Sequence, residues 1–314
     1  MTTALMFDVG LAMLIVAVAS WMIAAREAFA AVIGFVVYGL LLALVWVRLD
    51  AVDVALTEAA IGGGLTGTLL LGAAARLRAS EVPASERPGA MLRFAAALLS
   101  AAVTAALAIA VLLLPDDAPT LARPAADNAA ATGLGNPVTN VLMAFRAMDT
   151  LLEKVVLLLA LVGVWSLAVD HVWGGRPGPR YPVEPHGALA FLARLLPPVG
   201  IVVGIYILWV GADHPGGAFQ GGTILAAMWV LVMMAGLSDA PPVGNRLLRL
   251  ALLAGPAVFL IVGLGGLGLG EAFLAYPVAY AKPLILAIEF AMTLTIGATL
   301  GLLLAGPPKR RVGR

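Results

Sequence analysis

The chain of 314 residues is dominated by uninterrupted apolar runs about as long as a bilayer is thick. Roughly 20 apolar residues span the ~30 Å hydrocarbon core as an α-helix. Backbone polar groups in lipid must be satisfied within the spanning element, so only helices or closed barrels cross. A barrel needs short alternating strands, and these continuous runs do not alternate. The sequence therefore predicts an all-α, polytopic transmembrane helix bundle.

Nine spans are expected, at Leu5–Ala24, Ala28–Val47, Val54–Ala74, Leu92–Leu114, Leu151–Val169, Leu189–Gly211, Phe219–Gly236, Leu247–Leu267 and Leu284–Ala305. The first has no basic leader or small-residue cleavage site before it and reads as a retained helix. Placing the amino terminus outside puts Arg26, Arg76, Arg78, Arg87, Arg93, Arg176, Arg180, Arg246, Arg249, Lys309, Arg310, Arg311 and Arg314 on the cytoplasmic side. The opposite side receives Arg48, Arg123, Arg146, Lys154 and Lys282. That bias predicts an outside amino terminus and a cytoplasmic carboxy terminus.

Hydrophobic residues make up 62% of the chain and no long polar segment leaves room for a water-soluble domain. Cysteine is absent, which excludes thiol catalysis, disulfides made by this chain and iron–sulfur clusters held by its thiolates. A net charge of +1, with basic residues scattered near span ends, gives no basis for nucleic-acid binding. No nucleophile–base pair, redox ligand group or metal cluster marks an enzyme, and no cofactor is expected.

Charged residues are only 12% of the chain, so acids inside spans carry information. A carboxylate at bilayer depth is costly and is by default a candidate for binding or relaying a cation or proton. In span three Glu58, Gly62 and Thr66 share a helix face, and Gly63 and Gly64 permit close approach of another helix. Glu58 either exchanges an ion or proton or makes a hydrogen bond across helices near the outer interface. Asp50 and Asp53, just before it, read as a solvated acidic mouth.

In span nine Lys282, Glu289, Thr293 and Gly297 form one stripe, with Lys282 and Glu289 about 10 Å apart along the axis. Lys282 precedes Pro283 and can snorkel to the surface. Glu289 has too short a side chain to do so and is the first choice for a coupling role. Asp149 and Glu153 lie one turn apart at the start of span five. They either flank a cation or simply stabilise the helix amino terminus.

The connection Pro115–Thr150 carries Asp116, Asp117 and Asp127. Val138, Val141, Leu142, Phe145 and Met148 recur there at helical spacing, either as a short interfacial helix or as an irregular lead into span five. His171 and His186 fall on the side opposite His214, so a three-histidine metal site is not expected. His214 alone is a proton-handling candidate. It opens the loop running through Pro215, Gly216, Gly217, Ala218, Phe219, Gln220, Gly221 and Gly222, which either lines an ion path or is a compact packing turn. It has neither a phosphate-loop ending nor a dinucleotide-loop setting. Gly263, Gly265, Gly266, Gly268 and Gly270 are expected to dissolve the last turn of span eight into a loop before Glu271.

Three motifs carry a family resemblance. Asp53-Val54-Ala55-Leu56-Thr57-Glu58-Ala59-Ala60, with Gly62–Gly64, resembles the three-span domain that ends the large Mrp antiporter subunit and stands alone as MbhD in membrane-bound hydrogenases. Phe145-Arg146-Ala147-Met148-Asp149-Thr150-Leu151-Leu152-Glu153 resembles the two-span MbhE-like piece that follows it. Pro215 to Gly222 is similar to the MnhB/MrpB signature, with Ala218 in place of its third glycine. Lys154 stands where an uncharged residue is commoner.

The resemblance implies three domains: residues 1–80 MbhD-like, 88–172 MbhE-like and 187–306 MnhB/MrpB-like. It further implies a non-catalytic subunit of a multisubunit Na+/H+ antiporter in a bacterial cytoplasmic membrane, beside larger antiporter-like subunits and lipid. The antiporter-like module of a respiratory complex is the alternative, with the chain then serving assembly alone. Glu58, Asp149 and Glu153 match the acidic positions of the first two motifs, and His214–Gly222 the third.

Overall fold

A computed structural model of the chain describes residues 3–79, 89–115, 120–179, 181–182, 184, 187–269 and 271–309. Arg87, Asp116, Asp117, Arg180, His186, Gly270, Arg310, Arg311 and Arg314, and the side chain of Arg78, lie outside the described residues. The fold is all-α. Among the described residues, seven helices are long and apolar enough to cross a membrane.

The amino-terminal group is α1 (Thr3–Ala24), α2 (Ala28–Arg48) and a third rod. That rod consists of α3 (Val52–Glu58), a π-helical stretch over Ala59–Thr66 and α4 (Gly67–Ala79). Glycines set the packing distance here. A Cβ on Gly39 would lie 3.1 Å from the backbone nitrogen of Gly63, and one on Gly63 would lie 3.1 Å from Leu40. The run Gly62–Gly64 thus allows the close approach that its composition suggests.

Next, α5 (Ala90–Leu112) buries none of its residues. The connection after it is more ordered than a loop. It forms α6 (Ala122–Asn128), a 3-10 turn (Ala129–Thr132), α7 (Pro137–Asn140) and a π-helical turn (Val141–Phe145). The backbone breaks at Arg146 (φ −128°, ψ 32°) before α8, Ala147–Ser166. Val138 to Phe145 therefore form their own short segment, while Met148 belongs to α8. This helix begins four residues before the expected span and takes in Asp149, Glu153 and Lys154.

The carboxy-terminal group is α9 (Ala188–Val210), α10 (Ala218–Met234), α11 (Arg246–Gly268) and α12 (Ala281–Ala305). α10 lies between α9 and α12, and α11 packs on the other flank of α12. α12 is the core: Ile285, Ile288, Met292, Ile296 and Leu300 are each at most 2% exposed. Its buried hydroxyls are satisfied, as lipid-depth polar groups must be. Thr293 and Thr299 donate one turn back at 2.8 and 2.7 Å, and Thr295 donates to the Ala251 carbonyl at 2.9 Å.

The glycine-rich end of span eight does not unravel. α11 continues to Gly268 because its bare positions receive the following loop. A Cβ on Gly266 would lie 2.7 Å from the Ala272 carbonyl oxygen, and one on Gly263 would lie 2.5 Å from the Phe273 ring. Tyr276 anchors the same loop by donating to the Met143 carbonyl at 2.8 Å, and burial raises its phenol pKa above the ordinary value.

Candidate functional site

The α9–α10 turn is built on two glycines with positive φ, Gly216 (152°) and Gly217 (128°). A side chain on Gly216 would strike the Ile207 carbonyl, while the Gly217 N–H donates to that carbonyl at 3.0 Å. Ala218 needs no such freedom, since it is the first residue of α10. Gly221 and Gly222 then let α10 sit against α9 and α12: a Cβ on Gly221 would lie 2.7 Å from the Gly204 carbonyl, and one on Gly222 2.8 Å from Ile296.

Other segments clamp this turn. Asn136 caps α7 by accepting from the Val138 N–H at 2.8 Å, and its amide donates to the carbonyls of Gly211 (3.1 Å) and His214 (2.9 Å). Thr139 donates to the Gly211 carbonyl at 2.6 Å. Lys282 grips Asp213 at 2.7 and 2.8 Å, and Gly135 N–H reaches the same carboxylate at 3.1 Å. The Lys282 ammonium is the main reason the Asp213 carboxyl is held below its ordinary pKa. His214 is exposed at the surface of the turn.

Asp53 joins this assembly from the amino-terminal group. It is only 7% exposed and accepts the Gly216 N–H at 2.9 Å, with the Asn136 amide 3.4 Å from both carboxylate oxygens. The expected solvated mouth is thus corrected for Asp53, which is a buried acid. Its partners are distant in sequence and close over it.

Beneath the turn lies a cavity of about 340 Å³ walled by α3, α7, α8, α10 and α12. Asp53, Glu153, Lys154, Gln220 and Glu289 all line it. Gln220 bridges its walls by donating to the Thr57 hydroxyl at 3.2 Å. Glu289 is 4% exposed, and its Oε2 has no partner among the described residues. A buried acceptor without a donor is a place for a proton, a water or a cation.

Lys154 is 3% exposed and folds toward Glu153 (2.8 Å) and the face of Phe219, 5.0 Å from the ring centroid. Glu153 itself is 56% exposed. Three carboxylates and one ammonium therefore line the cavity, and the ammonium is already shared with one of them. Such walls favour a cation.

The remaining candidates lie elsewhere. Glu58 does not line this cavity. It is half-buried, and its Oε1 lies 3.5 Å from where a Cβ on Gly39 of α2 would stand. Asp149 is exposed and paired with Arg146 through a 2.6 Å hydrogen bond, which relieves its repulsion with Glu153. Lys282 is held by Asp213 rather than snorkelling free. Among the described residues no group of three His, Asp or Glu is placed to hold a metal ion.

Asn136, Thr139 and the burial of Lys154 were not legible as site features. The Asn-Pro pair at 136–137 signals a helix start. It does not signal that the capping amide also holds another domain's turn.

The fold and site define a polytopic α-helical membrane protein that carries a largely apolar cavity lined by three carboxylates within its helices. Two families match it: MbhD, a component of MBH, over residues 13–79, and "Domain related to MnhB subunit of Na+/H+ antiporter" over residues 188–306. The chain thus carries an MbhD-like domain followed by an MnhB-like domain, the pairing seen among small subunits of Mrp/Mnh/Mbh-type antiporters, which it resembles. No curated protein matches.

Two solved structures are similar. One is the Mrp complex from Dietzia sp. DQ12-45-1b, with TM-score 0.74 and 24% identity over 97% of this chain and 35% of that chain. At that identity the likeness is one of fold, and this chain spans about a third of that one's length. The other is the membrane-bound sulfane sulfur reductase, an archaeal respiratory membrane complex, with TM-score 0.57 and 26% identity over 67% of this chain and 95% of that chain.

Proposed function

We propose that the chain supplies part of the cation and proton path of a multisubunit Na+/H+ antiporter, with Glu289 as the exchanging carboxylate. The observation that carries this reading is the shared cavity. It brings Asp53, Glu153 and Glu289 to one space beside Lys154, and one oxygen of Glu289 lacks a partner among the described residues. Protonation of Glu289 removes the charge that attracts a cation, so the two ions compete for one group and exchange replaces leak. Glu58, set against α2, serves a second position on the amino-terminal side. Asp149, Lys282 and His214 shape the field at the rim.

The topology proposed is nine spans, with α8 and α10 joining the seven long apolar helices, the amino terminus outside and the carboxy terminus cytoplasmic. Support comes from the ends of the bundle. Segments expected outside meet around Asp53, Asn136, Asp213 and Lys282. Segments expected inside meet where Val243 N–H reaches the Gly175 carbonyl (2.9 Å) and Gly178 N–H the Pro307 carbonyl (3.2 Å). The host is a bacterial cytoplasmic membrane, and the partners are larger antiporter-like subunits. The three-domain division has the MbhE-like piece, residues 88–172, between the two matched domains.

In reconstituted complexes, Glu289→Gln and Glu58→Gln should each lose sodium-dependent proton movement while native gels still contain the assembled particle. Full activity in both discards the assignment. An assembly role is the second reading. It is favoured by α5, which buries nothing within the chain, and by α1, which buries only Leu11. Under that reading activity falls only as far as assembly does.

A further inference from the structure

A second crevice lies at the opposite end of the bundle, between the two matched domains. Its upper part, about 260 Å³, is bordered by Gly64 and Leu65 on one side and Ala226 and Leu300 on the other. It continues past Thr68 and Val230 into a wider space of about 460 Å³, which reaches Arg76 and Tyr181.

The narrow part is mostly apolar although it contains hydroxyls, and the wide part turns polar toward Arg76, Tyr181 and Ser238. Thr68 donates to the Gly64 carbonyl and Thr223 to the Phe219 carbonyl, both at 2.8 Å, so neither proton is free to hold a water chain. Arg76, at the wide end, is exposed and has no ion pair among the described residues. Asp239 on the same rim is held by Arg176 at 3.2 Å.

Depth and closure select the occupant. Arg76 lies twelve positions after Gly64, about 18 Å at the α-helical rise and slightly less because the rod is π-helical up to Thr66, close to one leaflet of a ~30 Å hydrocarbon core. A helix of 10–12 Å diameter crossing the bilayer needs both ends open. This crevice is closed at its far end by the junction of Thr57 with Gln220 and of Asp53 with Gly216. Its near end is bordered by the strap in which Gly178 meets Pro307.

We propose that this crevice binds one anionic glycerophospholipid from the leaflet on the Arg76 side, its phosphate at Arg76 and its chains along α4 and α10. Such a lipid wedges the two domains apart at this end while polar contacts hold them at the other.

The test uses the purified full chain and native mass spectrometry with phosphatidylglycerol and phosphatidylcholine. The chain should retain one phosphatidylglycerol, and Arg76→Gln should lower its preference over phosphatidylcholine about fivefold, as expected for one arginine at an anionic surface. Gly72→Trp, whose side chain enters open space, should exclude both lipids. A photo-crosslinking residue at Leu71 in the assembled complex should label lipid. An unchanged preference in Arg76→Gln, no retained lipid in the wild type, or labelling of a polypeptide would overturn the proposal. Should Gly72→Trp misfold, the arginine variant and the crosslink decide.

Discussion

The carboxylate of Asp53 accepts the backbone N–H of Gly216 at 2.9 Å across 163 residues of sequence, joining the MbhD-like domain to the signature turn of the MnhB-like domain. Asn136 holds the same junction from the piece between them, with its amide on the Gly211 and His214 carbonyls. Asn136→Ala removes the His214 carbonyl's donor and one of the donors to the Gly211 carbonyl and the Asp53 carboxylate, which keep Thr139 and Gly216, at about 1–3 kcal/mol. The expected result is a lower melting temperature in detergent and faster proteolysis between the domains. Asn136→Asp should be worse, since it sets a second carboxylate against Asp53.

Gly216→Ala is expected to destabilise the chain by about 1–3 kcal/mol, because φ near +152° strains any L-residue and the methyl group would meet the Ile207 carbonyl. A melting curve checks this. Ala218→Gly, at a helix start, should change the melting temperature far less.

The Asp213–Lys282 pair gives a pH signature. Asp213 has a folded pKa below its ordinary value, so its contribution is present above the unfolded pKa and is lost as pH falls through the folded one. Both side chains are a third or more exposed, which limits the pair to about 0–1 kcal/mol. The melting-temperature gap between wild type and Asp213→Asn should therefore be small at neutral pH, narrow on acidification and shrink with salt.

How far the site was legible depended on whether each residue's partners were local. Glu289 stood out because a short acid deep in an apolar run has no local escape. Asp53 was misread as solvated because Asn136 and Gly216, which bury it, are 83 and 163 residues away. Lys154 sat in a motif, but nothing in its spacing indicated the ring of Phe219. The helical rods followed from apolar length. The glycines of α11 misled because they receive Phe273 and the Ala272 carbonyl rather than loosening the chain. The π-helical stretches, which adjust register where helices meet other elements, had no local signal.

Lys154→Gln removes the single ammonium from the cavity wall and leaves Glu153, which is exposed on the chain, without its partner. The remaining field is more negative, so the complex should take up sodium at a lower concentration, by about fivefold for ~1 kcal/mol of lost repulsion. Sodium titration of proton movement measures it. A rise in the required concentration would place Lys154 outside the path.

If one carboxylate, Glu289, serves cation and proton in turn, the two fluxes must stand or fall together. Simultaneous recording of radioactive sodium uptake and proton movement in vesicles holding the assembled complex decides this, comparing wild type, Glu289→Gln and Glu289→Asp. Glu289→Gln should abolish both fluxes together, while Glu289→Asp should retain them in the wild-type ratio at reduced rate. Wild-type rates of both ions in an assembled Glu289→Gln complex would refute the assignment.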